Sequence, residues 1–188
     1  MVDKNSVEYY NLKQNVYDFL ISIGIEIEIQ ESTKGFFDHI HIEDGRLIVD
    51  KNASINDILH EAGHLAVLPG RFRKYASGNI SGAIKRMLEE IDFSNPDAPE
   101  ARAAIQCGDV EATAWAWAAG MHLELPPEIV IEDADYDHEG EEMRLTLNSN
   151  SFFGINGLAA AGFCVTNKAF SALTGKPVYP NLAMWLQN

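Results

Sequence analysis

Basic residues are scarce: 14 lysines and arginines stand against 28 aspartates and glutamates, a formal charge of −14. A field of that sign repels phosphate backbones and anionic lipid, so direct nucleic-acid binding and membrane attachment are not expected, and basic partners fit better. Cysteine is nearly absent. Cys107 and Cys164 are too few for a disulfide framework, and neither sits in a recognisable nucleophile motif. No apolar run approaches the roughly 20 residues that cross a bilayer. The start, MVDKNSVEYYNLKQ, lacks the apolar core of a secretion signal. A reduced, cytoplasmic protein is expected. Internal repeats, low-complexity tracts, phosphate-cradling glycine patterns and any linker long enough to divide the chain into domains are missing as well. What remains is an ordinary globular composition over 188 residues, enough for one core and one domain, 1–188.

Against that background one stretch stands out: SINDILHEAGHLAVLPG, Ser54 to Gly70, centred on HEAGH. In a helix, positions four apart share a face, so His60 and His64 can hold one metal ion between them. Glu61 then lies beside the open coordination side, where a carboxylate can take a proton from an activated water. The helix is encoded locally. Ser54 is a good N-cap with Asp57 three residues on, Pro69-Gly70 stops the run, and Ile55, Ile58, Leu59, Ala62, Leu65 and Ala66 form a core-facing flank. With six histidines in the chain, H-E-x-x-H arises by accident on the order of once in a hundred such sequences.

Before this helix, Asn5 to Ile23 carries apolar residues at helical spacing (Val7, Tyr10, Val16, Tyr17, Phe19, Leu20, Ile23) and ends at Gly24. Ile25 to Gln30 alternates strictly, as a strand with one face on the core does. Asp44-Gly45 between Phe37–Ile42 and Arg46–Asp50 reads as a hairpin. His39 and His41 share one strand face, and the expected face is the solvent one. A strand edge beside the metal helix offers an extended peptide a place to pair. After the helix, Arg71, Arg73 and Lys74 form a short basic rim, a helix runs from Ile80 to Ile91 with Leu88 on its core side, and a loop over Asp92 to Glu100 precedes a helix from Glu100 to Cys107.

A catalytic zinc usually has three protein ligands and an open position. GDVEATAWAWAAGM offers Glu111, set among small residues that allow close helix packing; its rivals are Asp109, Cys107, Glu89 and Glu90. Glu89 and Glu90 fit an exposed face, because Leu88 and Ile91 claim the core side.

HEAGHLAVLP followed by VEATAWAWAAGMHLELPPEIV resembles the ImmA/IrrE-type zinc metallopeptidases. In that family an HExxH helix precedes a helix with a ligand glutamate, an alanine, an aromatic-alanine pair and a proline. Glu111, Ala114, Trp117-Ala118 and Pro126 match these positions, and the hairpin with Gly45 and Val49 is similar too, so the resemblance spans Phe36 to Val130. The interval from His64 to Glu111 is longer than the family pattern, with Arg71 to Glu100 reading as an insertion, and no DNA-binding module accompanies it. The resemblance implies a zincin-like α+β fold with a gluzincin-type His-His-Glu site and zinc-dependent cleavage of a protein, often a regulator. In this chain it implies a helix plus a small antiparallel or mixed sheet over 1–53, the metal-site helices over 54–125, and an acidic loop with C-terminal helices over 126–188.

Further on, Asp133, Asp135 and Asp137 alternate as in a calcium loop, but His138 stands where the turn needs glycine and Arg144 where a bidentate glutamate is required. Tyr136 and His138 are possible stabilisers of an oxyanion, and His122 is similarly ambiguous. Ile155–Phe163 and Thr166–Leu173 read as short helices before a final segment at Leu182–Leu186, with Phe163 and Trp185 as core or dimer-contact residues. The expected function is zinc-dependent hydrolysis of a protein or peptide, with His60, His64 and Glu111 on zinc and Glu61 as general base. The alternatives are a non-catalytic zinc-binding regulatory protein and a zinc-dependent hydrolase of small amides.

Overall fold

The computed structural model describes residues 4, 6–35 and 38–188. The first helix, α1 (Val7–Ser22), starts where the Ser6 hydroxyl accepts the Tyr9 N–H at 3.1 Å. The expected start at Asn5 lies outside the described residues. Val16, Tyr17, Phe19 and Leu20 are buried as their spacing predicts, but Tyr9 rather than Tyr10 joins them, and Val7 and Tyr10 face solvent. Tyr9 is drawn inward because its hydroxyl accepts the N–H of Ile55 at 2.9 Å.

Three strands follow, β1 (Ile27–Ile29), β2 (Ile40–Glu43) and β3 (Arg46–Val49), in the order β1-β3-β2, so the sheet is mixed. β1 runs parallel to β3, and β2 runs antiparallel with Ile40 opposite Val49 and Glu43 opposite Arg46. The expected hairpin forms around Asp44 and Gly45, whose φ values of 49° and 77° are those of the tight turn that suits twisted strands. Its expected first residue, Phe37, lies outside the described residues. The alternation expected from Ile25 to Gln30 holds only in part: Ile25 is buried before the strand begins, Ile27 is half-buried and Ile29 is 67% exposed. β1 is an edge strand, and its far end is left in solvent.

The helical body begins with α2 (Ile55–Val67), capped by Ser54, whose hydroxyl accepts the Asp57 N–H at 3.2 Å. Ile55, Ile58, Leu59, Ala62, Leu65 and Ala66 are buried as predicted, each large aliphatic side chain contributing about 1.5–3 kcal/mol relative to exposure. A 3₁₀ turn (Gly70–Tyr75), α3 (Ser81–Glu90) and α4 (Pro99–Ile105) occupy the stretch that reads as an insertion. Leu88 is exposed rather than core-facing, because α3 is held by Ala83 and Met87 on its other side. Then come α5 (Asp109–His122), α6 (Pro127–Val130), a turn α7 (Asp135–His138), α8 (Gly140–Asn148), α9 (Phe153–Ala161) and α10 (Lys168–Thr174). The final segment is irregular, with Trp185 half-buried, while Phe163, between α9 and α10, is fully buried.

The pair α2 and α5 packs more extensively than any other two elements, and α5 also rests on α9. Small residues make this possible. A Cβ on Gly63 would stand 2.5 Å from the Ala112 carbonyl oxygen, so the α2 backbone lies directly on α5. On the opposite side, Cβ atoms on Gly154 or Gly157 would collide with the first turn of α5. The C-terminal segment locks α5 from a third direction: Trp115 Nε1 donates to Trp185 O and the Tyr179 hydroxyl donates to Ala114 O, both at 2.9 Å. Among the described residues, no helix is long and apolar enough to cross a membrane.

Candidate functional site

Where α2 crosses the start of α5, His60, Glu61, His64, Asp109 and Thr113 line one cleft of about 680 Å³, a size typical of ligand pockets. Its apolar walls include Ile42 from β2, Ile80 and Ile84 from the start of α3, and Val130 and Ile131 from the end of α6. His60 and His64 face each other edge-on, one helical turn apart, with ring centroids separated by 4.8 Å. Both Nε2 atoms lie 3.3 Å from Asp109 Oδ1. These contacts hold the Asp109 carboxyl well below the usual carboxylate range, because both imidazoles hydrogen-bond to it. Glu61 responds in the opposite sense. Its burial pushes the carboxyl upward, and the nearby His64 and His60 pull it part of the way back.

His60, His64 and Asp109 form a group able to hold a metal ion. The three side chains offer one ligand atom each, all within 4.8 Å of one another. Two atoms bound to one tetrahedral zinc at about 2.0–2.1 Å stand about 3.3 Å apart. Both histidine–aspartate edges have that length. Two imidazoles and a carboxylate are also a donor set that suits zinc.

The structure departs from expectation at the third position: Asp109, not Glu111, is brought to the histidines. Helix geometry gives the reason. Residues two apart on a helix point about 200° from each other, so Asp109 and Glu111 cannot serve the same face. Glu111 is 4% exposed, its Oε2 accepts the Gly108 N–H at 3.0 Å, and it lies against Gly157 of α9. It is the third helical residue reaching back to its own N-cap, the return half of a capping box. Burial raises its carboxyl, opposed by the backbone N–H groups that bond it. The other rivals stay away as well. The Cys107 thiol donates to Ala104 O, with burial pushing it up to about 11, and Glu89 and Glu90 pair with Arg86 and Arg71 on the surface of α3.

No family model, curated protein or solved structure matches the chain. The cleft itself therefore carries the functional reading.

Of the two expected oxyanion stabilisers, Tyr136 lines the cleft and its hydroxyl lies 2.9 Å from Thr113 Oγ1. Tyr136, Asp137 and His138 all have positive φ, a conformation costing on the order of 1–3 kcal/mol per non-glycine residue and commonest at functional sites. His138 lines a separate depression with Trp117 and Met121. His122 packs between Phe19 and Trp185, about 20 Å along α5 from Asp109. His39 and His41 serve the sheet: His39 bonds the buried Asp50 at 2.9 Å and His41 bonds Thr33 at 2.6 Å. Arg73 donates to Leu65 O and Gln187 O, so it ties α2 to the C-terminus, while Arg71 pairs with Glu90 and Glu100 at the surface. Thr113 is a site residue that the sequence motifs do not mark. The signal that finds it is the spacing Asp109, Thr113, Ala116, one face of α5, all three lining the cleft.

Proposed function

We propose that this protein is a zinc-dependent hydrolase of amide bonds, a metallopeptidase of the zincin kind with an ImmA/IrrE-like motif, in which His60, His64 and Asp109 hold the metal and Glu61 is the general base. The observation that carries the reading is the convergence of the two Nε2 atoms on Asp109 Oδ1 in a cleft that also contains Glu61. A bound zinc supplies Lewis-acid activation of a water and of the scissile carbonyl. Glu61, next to His60 on α2, takes the proton of the attacking water and returns it to the leaving amine. A carboxylate beside the metal's open side can serve both directions of transfer, as base and then as acid. The Ile80, Ile84, Val130 and Ile131 walls favour apolar groups beside the scissile bond. Tyr136 lines the same cleft, with its hydroxyl engaged by Thr113 Oγ1 at 2.9 Å.

The size of the substrate has a second reading. A strand edge beside the metal helix is the expected docking line for an extended peptide, yet on β2, the edge strand whose Ile42 lines the cleft, the Gly78 N–H donates to Ile42 O at 2.7 Å. That contact occupies part of the edge and favours a short peptide or small amide over a long strand.

The test is Glu61→Gln measured on a peptide mixture with the zinc content of both proteins determined. The expected result is retained zinc and a rate lower by about 10²–10⁴-fold, the usual contribution of general acid–base catalysis. A variant that keeps zinc and cuts as fast as the wild type defeats the role of Glu61. A wild type that binds zinc and cuts no amide leaves the non-catalytic zinc-binding reading.

A further inference from the structure

Thr113 is 2% exposed and its hydroxyl meets three groups from two elements of the cleft and from α5 itself. It donates to Asp109 O at 3.0 Å within α5. Tyr136 OH stands 2.9 Å away and His60 Nδ1 3.5 Å away. A threonine hydroxyl has one proton to give and two lone pairs to fill. With its proton directed to Asp109 O, the lone pairs are left for the Tyr136 hydroxyl and for the Nδ1–H of His60. His60 presents Nε2 to Asp109 Oδ1, so a metal taken at that nitrogen leaves the imidazole proton on Nδ1, facing Thr113. The second histidine lacks such a support: among the described residues His64 Nδ1 is buried with no hydrogen-bond partner.

We infer that Thr113 is the positioning residue of the metal centre: it fixes the tautomer and ring orientation of His60, and Tyr136 holds Thr113 in turn from the left-handed turn at the cleft wall. The inference rests on the metal-site reading above. It makes the two histidines unequal: both meet Asp109 through Nε2, but only His60 has a buried hydroxyl facing its Nδ1. It also gives the positive-φ backbone at Tyr136 a purpose, since that conformation delivers a side chain from an acidic surface segment to a buried hydroxyl.

The experiment measures Zn²⁺ affinity by competition with a chromogenic chelator, and the visible spectrum of the Co²⁺-loaded protein, for wild type, Thr113→Val, Thr113→Ser and Tyr136→Phe. Thr113→Val keeps the shape and removes the hydroxyl. It is expected to weaken Zn²⁺ binding by roughly 10- to 100-fold, the usual effect of losing an outer partner of a metal-bound histidine, and to alter the Co²⁺ spectrum. Thr113→Ser should restore both. Tyr136→Phe should weaken binding by less than Thr113→Val, and because Tyr136 is partly exposed it reads the same chain even if Thr113→Val does not fold. A Thr113→Val protein with wild-type Zn²⁺ affinity and Co²⁺ spectrum overturns the inference and leaves the metal site standing, as does an unchanged Tyr136→Phe when Thr113→Val is unfolded. A wild type that takes up neither metal overturns both.

Discussion

The two faces at the start of α5 carry carboxylates only two positions apart, and the fold gives them opposite tasks. Asp109 is exposed and looks toward α2, where it meets His60 and His64; Glu111 is buried and looks toward α9, where it closes the helix end on Gly108. Each face is brought close to its neighbour by a glycine, Gly63 on α2 and Gly157 on α9. The electrostatic consequences differ in sign, with Asp109 held below the usual range by its histidine contacts and Glu111 pushed above it by burial. A carboxylate's chemistry is thus set by the face it stands on rather than by the motif that contains it.

Removing each carboxylate in turn separates the two faces most strongly. Asp109→Ala should weaken Zn²⁺ binding by more than the roughly 100-fold that outer-partner losses reach, whereas Glu111→Gln should leave it near the wild-type value; chelator competition decides, and the reverse order would return Glu111 to the metal. Next in size is the glycine pair. Gly63→Ala drives a Cβ into the Ala112 carbonyl, and should lower stability by about 1–3 kcal/mol while also weakening Zn²⁺ binding, because it moves α2 away from Asp109. Gly157→Ala strikes the Glu111 carboxylate instead, so it should lower the melting temperature and spare the metal.

A smaller effect lies in the pH dependence of the metal-free protein. Asp109 has a depressed folded pKa, so its contribution is present above the ordinary carboxylate range of about 4 and is lost as pH falls below it. Glu111 has a raised folded pKa, so its contribution is full below about 4.3 and is lost as pH climbs through the folded value. Melting curves of Asp109→Asn and Glu111→Gln against wild type should therefore depart in opposite directions above the acid region: the first loses stability at the higher pH, and the second gains relative stability there. Two curves with the same sign would mean that the faces are not distinct.

Much of this is legible in the residues. Ser54, the apolar flank of α2 and the His60–Glu61–His64 spacing specify a capped helix with three chemical groups, because helix periodicity acts within a few residues. Asp44-Gly45 sets the hairpin in the same local way. Burial is less legible. Val7, Tyr10 and Leu88 have core-like character and face solvent, since an amphipathic stripe wider than its neighbour leaves its margin uncovered.

The order of residues alone is enough to say which helix offers two imidazoles and a carboxylate on neighbouring positions, and that small residues let another helix lie against it. Which carboxylate meets the imidazoles is a matter of packing. The first turn of α5 holds both Asp109 and Glu111, and local propensity is satisfied by either rotation of that helix. Gly63, Gly157 and the Trp115 and Tyr179 hydrogen bonds fix the rotation, and with it the face, because a packed helix cannot turn without driving backbone into backbone.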